Sequence, residues 1–197
     1  MLKISFVLLC LFCGVTAAFA QDCPTSDDLD SGIRLTRHDP SFVSVFRRDA
    51  SGLSERRESR GRVIHTRETH GLMTVERWEE GQNNHMRLSY DVSPAELDNL
   101  RVGRSLKRNL RLRFADGREV PGDVTWKVIR NTTVHIGPCS YPAQQVHERT
   151  DFEGVDPMFM VRFYARDPGL VLRSIVTDGN WQAVRQVRFD QIERVVP

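Results

Sequence analysis

The sequence predicts a mainly β protein: a single curved antiparallel sheet, meander or half-barrel, with one short α-helix near residues 94–101. Three observations predict it. From Ile33 onward, short runs alternate apolar and polar residues with the period of a half-buried strand. Turn residues separate these runs at Asp39-Pro40, 80–84, Asp116-Gly117, Asp167-Pro168-Gly169 and Asp178-Gly179-Asn180. Helix punctuation is clear at one place, where Ser93 is followed by Pro94, Glu96, Leu97 and Leu100.

The amino terminus comes first in the chain. Lys3 precedes an apolar run from Ile4 to Val15, and Ala18 and Ala20 form a small-x-small cleavage pattern, so residues 1–20 read as a cleavable export signal. The run is shorter than the roughly 20 residues that a bilayer requires, and no later stretch exceeds it, so no membrane span is expected. Cys10, Cys13 and Cys23 follow Leu9, Phe12 and Asp22, where a lipid anchor would need a small residue, so none is expected. Residues 21–197 are then one β-rich domain working in the periplasm, or secreted if the source is not Gram-negative.

After an acidic stretch over 22–30, strand patterns occupy 33–37, 42–48, 62–68, 72–78 and 85–90. Beyond the helix, Leu110, Leu112 and Phe114 alternate with arginines, and the Asp116-Gly117 turn leads to a second run through Trp126, Val128 and Ile129, which together predict a hairpin. Further runs cover 132–136, 144–151, 158–164, 170–176 and 181–189. The segments 56–60 and 76–80, in which arginines interleave with glutamates, read as solvated strand faces.

Charge and cysteine usage narrow the function. Lys and Arg number 28 against 26 Asp and Glu, a net charge of +2 spread along the chain, whereas nucleic-acid binding needs a concentrated basic surface. No nucleic-acid partner is expected. Of four cysteines, Cys10 and Cys13 leave with the signal, and in an oxidising compartment the remaining Cys23 and Cys139 are expected to pair. Both lie beside prolines, in segments with loop chemistry.

Catalytic signatures fail individually. Gly52-Leu53-Ser54-Glu55-Arg56 lacks the second glycine of a nucleophile elbow, and Lys3, Lys107 and Lys127 have no serine three residues earlier. His147-Glu148-Arg149-Thr150-Asp151 carries an aspartate where a zinc protease needs its second histidine. His135 and His147 flank the Cys139 loop and could approach each other in a hairpin, but scattered half-buried histidines are the plainer reading. Accordingly no catalytic residue, cofactor or metal is assigned. Met158-Phe159-Met160-Val161 is apolar on both faces, for which ordinary core packing between layers is the plainer reading; the functional alternative is an apolar cavity in the curled sheet, with Phe159, Val161 and Phe163 as the candidate apolar-ligand face.

The segments 133–139, Tyr141-Pro142-Ala143 and 163–173 resemble the tails of uncharacterised proteobacterial periplasmic β-sheet proteins, related in fold to the half-barrel family of lipoprotein carriers. The resemblance implies a curved antiparallel sheet lidded by helices. The functional expectation is an exported, non-catalytic protein for binding or envelope maintenance, with a lipid or other apolar ligand or an envelope protein as partner. A hydrolase with a site assembled from distant residues, or an interaction subunit of an envelope complex, are the alternatives.

Overall fold

The structure, a computed structural model, describes residues 23–196, so the export-signal reading lies outside the described residues. Among the described residues, thirteen strands form one antiparallel sheet. They are β1 (Ile33–Arg37), β2 (Phe42–Asp49), β3 (Gly52–Ser59), β4 (Arg62–His70), β5 (Met73–Glu79), β6 (Met86–Tyr90), β7 (Ser105–Arg113), β8 (Glu119–Ile136), β9 (Cys139–Phe152), β10 (Met158–Ala165), β11 (Leu170–Thr177), β12 (Ala183–Arg188) and β13 (Gln191–Arg194). Consecutive strands pair with each other from β1 through β12, and β13 pairs with β1 rather than with β12. The predicted curved meander is therefore present. The helix α1 (Pro94–Asp98) is shorter than the sequence expectation, and Ser93 and Glu96 form the anticipated capping box at its start.

The curl follows from the ends of the ladder. The edge strands β12 and β13 are consecutive in the chain, separated only by Phe189 and Asp190, yet β12 pairs with β11 and β13 with β1. The sheet must therefore roll until its two edges meet. Two side-chain bonds cross this seam: Arg37 Nη1 donates to the Gln186 carbonyl at 2.9 Å, and the His38 amide donates to Asp190 Oδ2 at 2.8 Å.

Register fixes which side chains face inward. Ile33, Phe46, Glu55, Thr66, Arg77 and Met86 form one cross-strand row from β1 to β6. On the opposite wall Val128, Val146, Arg162, Ser174 and Val187 form another, from β8 to β12. Residues of both rows line a single cavity of about 170 Å³, so the two walls face each other. The helix closes one region of this interior, where Leu97 and Leu100 pack with Leu72, Met73, Leu110, Val124, Trp126 and Tyr164.

The other sheet face is covered at one end only. Cys139, Tyr141 and Ala143 alternate on β9 and are buried beneath the amino-terminal segment. That segment is held by the predicted Cys23–Cys139 disulfide and by the Tyr141 hydroxyl donating to the Pro24 carbonyl at 3.1 Å. Leu29, in the short 3-10 turn Ser26–Leu29, joins the same apolar cluster. Further along β9 to β12 this outer face has no such cover, and a groove opens there.

Candidate functional site

Two regions concentrate unusual chemistry: the polar interior and the outer groove. The interior begins with β3, whose sequence offers one apolar side chain, Leu53, and which places Glu55 and Arg57 inward where a core residue would ordinarily stand. Glu55 accepts from the Ser44 hydroxyl at 2.6 Å and from Arg57 at 2.7 Å, which compensates its burial. On the facing wall Glu148 accepts from Trp126 Nε1 at 2.9 Å and from Arg162 Nη2 at 3.0 Å. Glu68 lacks such a partner, having only the Thr74 hydroxyl at 3.5 Å. Burial, reinforced by the Glu55 charge, pushes its carboxyl up to about 8.

The sign of this shift sets a pH dependence. Unfolded Glu68 ionises near the ordinary glutamate value, and the folded protein keeps its proton until about pH 8. The unfolded state therefore holds fewer protons between these limits, and stability falls as pH rises through that window. Glu68→Gln is expected to flatten this part of the profile and to leave the variant more stable than the wild type at pH 9. Chemical denaturation at intervals between pH 4 and pH 9 measures it, and parallel profiles for the two proteins would reject it.

The interior charges mostly satisfy one another, whereas the outer groove does not. Its cavity of about 630 Å³ falls within the ordinary size of small-molecule sites. Register builds its floor from two cross-strand rows, all of whose members but Lys127 and Gln186 line it. Arg130, Gln145, Phe163, Arg173 and Arg188 form one, and Lys127, His147, Val161, Ile175 and Gln186 the other. The lining among the described residues contains arginine, histidine, threonine and apolar side chains but no carboxylate. Arg130 bonds Gln145 Oε1 at 2.8 Å, and Arg173 bonds Gln186 Oε1 at 3.1 Å while lying over the Phe163 ring at 4.9 Å. Both partners are neutral amides, so among the described residues neither guanidinium has a carboxylate partner.

Trp181 forms the end wall. It has φ 63, a left-handed conformation that costs a non-glycine residue roughly 1–2 kcal/mol. The turn before it holds that conformation: Asp178 Oδ1 accepts from the Asn180 amide at 2.9 Å and the Gln182 amide at 2.8 Å. The indole stacks on His147 at 4.0 Å between centroids and meets the Phe159 ring edge-on at 5.4 Å. Burial, with a smaller contribution from Lys127, lowers the His147 pKa, which favours the neutral ring in this stack. The left-handed turn also explains why β12 begins at Ala183, where the alternation alone suggested a strand from residue 181.

The structure places the candidate ligand face on this outer side. Val161 and Phe163 line the groove, and Phe159 lies beyond them against Trp181. Val161 is 6% and Phe163 8% exposed, so the floor is largely covered by its own arginine, histidine and tryptophan neighbours. Sequence patterning found this apolar stripe but missed the basic side chains beside it, which come from three separate strands. His135 and His147 both line the groove, yet His135 bonds the Ser140 hydroxyl at 2.8 Å and His147 stacks on Trp181. No group of three metal-ligating side chains occurs among the described residues. No protein-family model, curated protein or solved structure matches this chain.

The disulfide fits an exported protein, because such bonds persist in oxidising compartments. Among the described residues, no helix is long and apolar enough to cross a membrane.

Proposed function

We propose that this is an exported, periplasmic binding protein without catalytic activity, which holds an apolar ligand in the outer groove as part of envelope maintenance. The observation that carries the reading is Trp181, fixed by Asp178 in a costly left-handed conformation against His147 and Phe159, at the end of a floor containing Val161, Phe163 and Ile175. Backbone strain of this kind concentrates at ligand clamps. A purely structural turn would be served more cheaply by glycine at position 181.

The test is direct. Delipidated protein is incubated with an envelope lipid extract and examined by native mass spectrometry. A discrete bound mass is expected, with its occupancy reduced about tenfold or more in Trp181→Gly, whose fold is checked by circular dichroism. Protein that emerges without any adduct from the extract would remove the apolar-ligand reading.

A further inference from the structure

We infer that the ligand of the outer groove is an anionic single-chain amphiphile, its carboxylate or phosphate head seated between Arg173 and Arg188 and its tail lying against the half-buried Ile175 and Trp181, above the covered floor of Phe163 and Val161. This rests on the groove being a binding site and adds the chemistry of the occupant.

The head position follows from register. Arg173 on β11 and Arg188 on β12 stand directly opposite each other in an antiparallel ladder. Cβ atoms of such a pair lie roughly 4.5–5.5 Å apart, and like charges so placed repel and destabilise the sheet. No carboxylate lies within salt-bridge distance of either side chain among the described residues, and the groove lining supplies none. Moreover, Arg173 Nε is buried without a hydrogen-bond partner among the described residues. Such an orphan donor destabilises the folded protein. An oxygen anion at this point would relieve the repulsion and accept from the exposed Arg188 guanidinium, and the planar fork suits both carboxylate and phosphate.

The tail position follows from alternation. Arg173 pairs across the ladder with Phe163 on β10, and Val161 and Phe159 succeed Phe163 on the same face. These side chains lead from the arginine pair to the Trp181 wall, with Ile175 beside Val161. A single alkyl chain can follow one strand in this way. Its carbon atoms would be bounded by Ile175, His147 and Trp181, while Arg130 on β8 marks the opposite rim. A free inorganic anion would use the arginines and ignore the stripe, and a neutral lipid would use the stripe and ignore the arginines.

Calorimetric titration of the full protein separates these cases. The probes are dodecanoate, dodecyl phosphate, 1-dodecanol and inorganic phosphate, the amphiphiles held below their aggregation limits. The two anionic amphiphiles are expected to bind at least tenfold more tightly than dodecanol or inorganic phosphate, and to weaken as salt rises. Arg173→Gln should remove about tenfold of the affinity for the two anionic amphiphiles. Because Arg173 also covers Phe163, the exposed Arg188→Gln serves as a second variant with the same expected direction. Equal binding of dodecanol and the anionic probes, insensitive to both substitutions, would overturn the head assignment and leave the apolar reading standing. Inorganic phosphate binding as tightly as dodecyl phosphate would overturn the amphiphile class. Failure of every probe, together with an empty result from the lipid extract, would remove both readings.

Discussion

Arg162→Ala is expected to destabilise the protein by about 3–5 kcal/mol, the usual cost of removing one partner from a buried ion pair. Arg162 and Glu148 have side chains only 17% and 8% exposed and lie 3.0 Å apart on adjacent inner strands. Removing the guanidinium would leave Glu148 with the Trp126 indole as its remaining bonded donor among the described residues, and would also withdraw a favourable charge from Glu68. The penalty is the stranded carboxylate rather than the lost attraction. It follows that Glu148→Gln/Arg162→Met should recover most of the loss, because the glutamine oxygen can still accept from Trp126 while neither charge remains. Urea unfolding of the three proteins at pH 7 measures this. A single substitution costing less than about 1 kcal/mol, or a double variant no better than Arg162→Ala, would show that water reaches the pair and screens it.

That buried pair also shows where sequence reading stops. Alternation found most strands, the hairpin at Asp116-Gly117 and the capping box before α1, because each is written in contiguous residues. It delimited no strand at β3 and read 56–60 only as a solvated strand face, whereas Arg57 turns inward beside Glu55, at positions that a binary pattern assigns to apolar residues. The runs through residues 126–129 and 132–136 proved to be parts of one long strand, β8, with a register shift between Val128 and Arg130. The short β13 was hidden by its closeness to β12, although its pairing with β1 is what brings the sheet edges together. For the groove, the Phe159, Val161 and Phe163 stripe was legible within one strand. The arginines beside it were not, because Arg130, Arg173 and Arg188 become neighbours of that stripe only through the register of β8 to β12. The disulfide needed no register, since compartment and count left one pair.

Removal of that disulfide is expected to have a comparably large effect on stability but little on the sheet. The bond closes a loop with a sequence separation of 116, for which the chain-entropy relation gives roughly 5 kcal/mol. For a domain of this size that corresponds to a fall in melting temperature on the order of 10–20 °C. The amino-terminal segment keeps other attachments: Asp28 pairs with Arg194 at 2.8 Å, the Ser26 amide donates to Asp167 Oδ1 at 2.6 Å, and Tyr141 holds the Pro24 carbonyl. Both inward rows and the pairing of β1 with β13 are independent of Cys23. Cys23→Ser/Cys139→Ser should therefore retain its β-sheet circular dichroism at 25 °C while melting earlier, and hydrogen exchange should accelerate first around residues 23–29 and at the β8–β9 turn. An unchanged melting temperature would show that the native contacts of the segment already impose the restraint attributed to the bond. Loss of the sheet signal at 25 °C would instead show that covering Cys139 and Tyr141 is needed for the outer face to hold together.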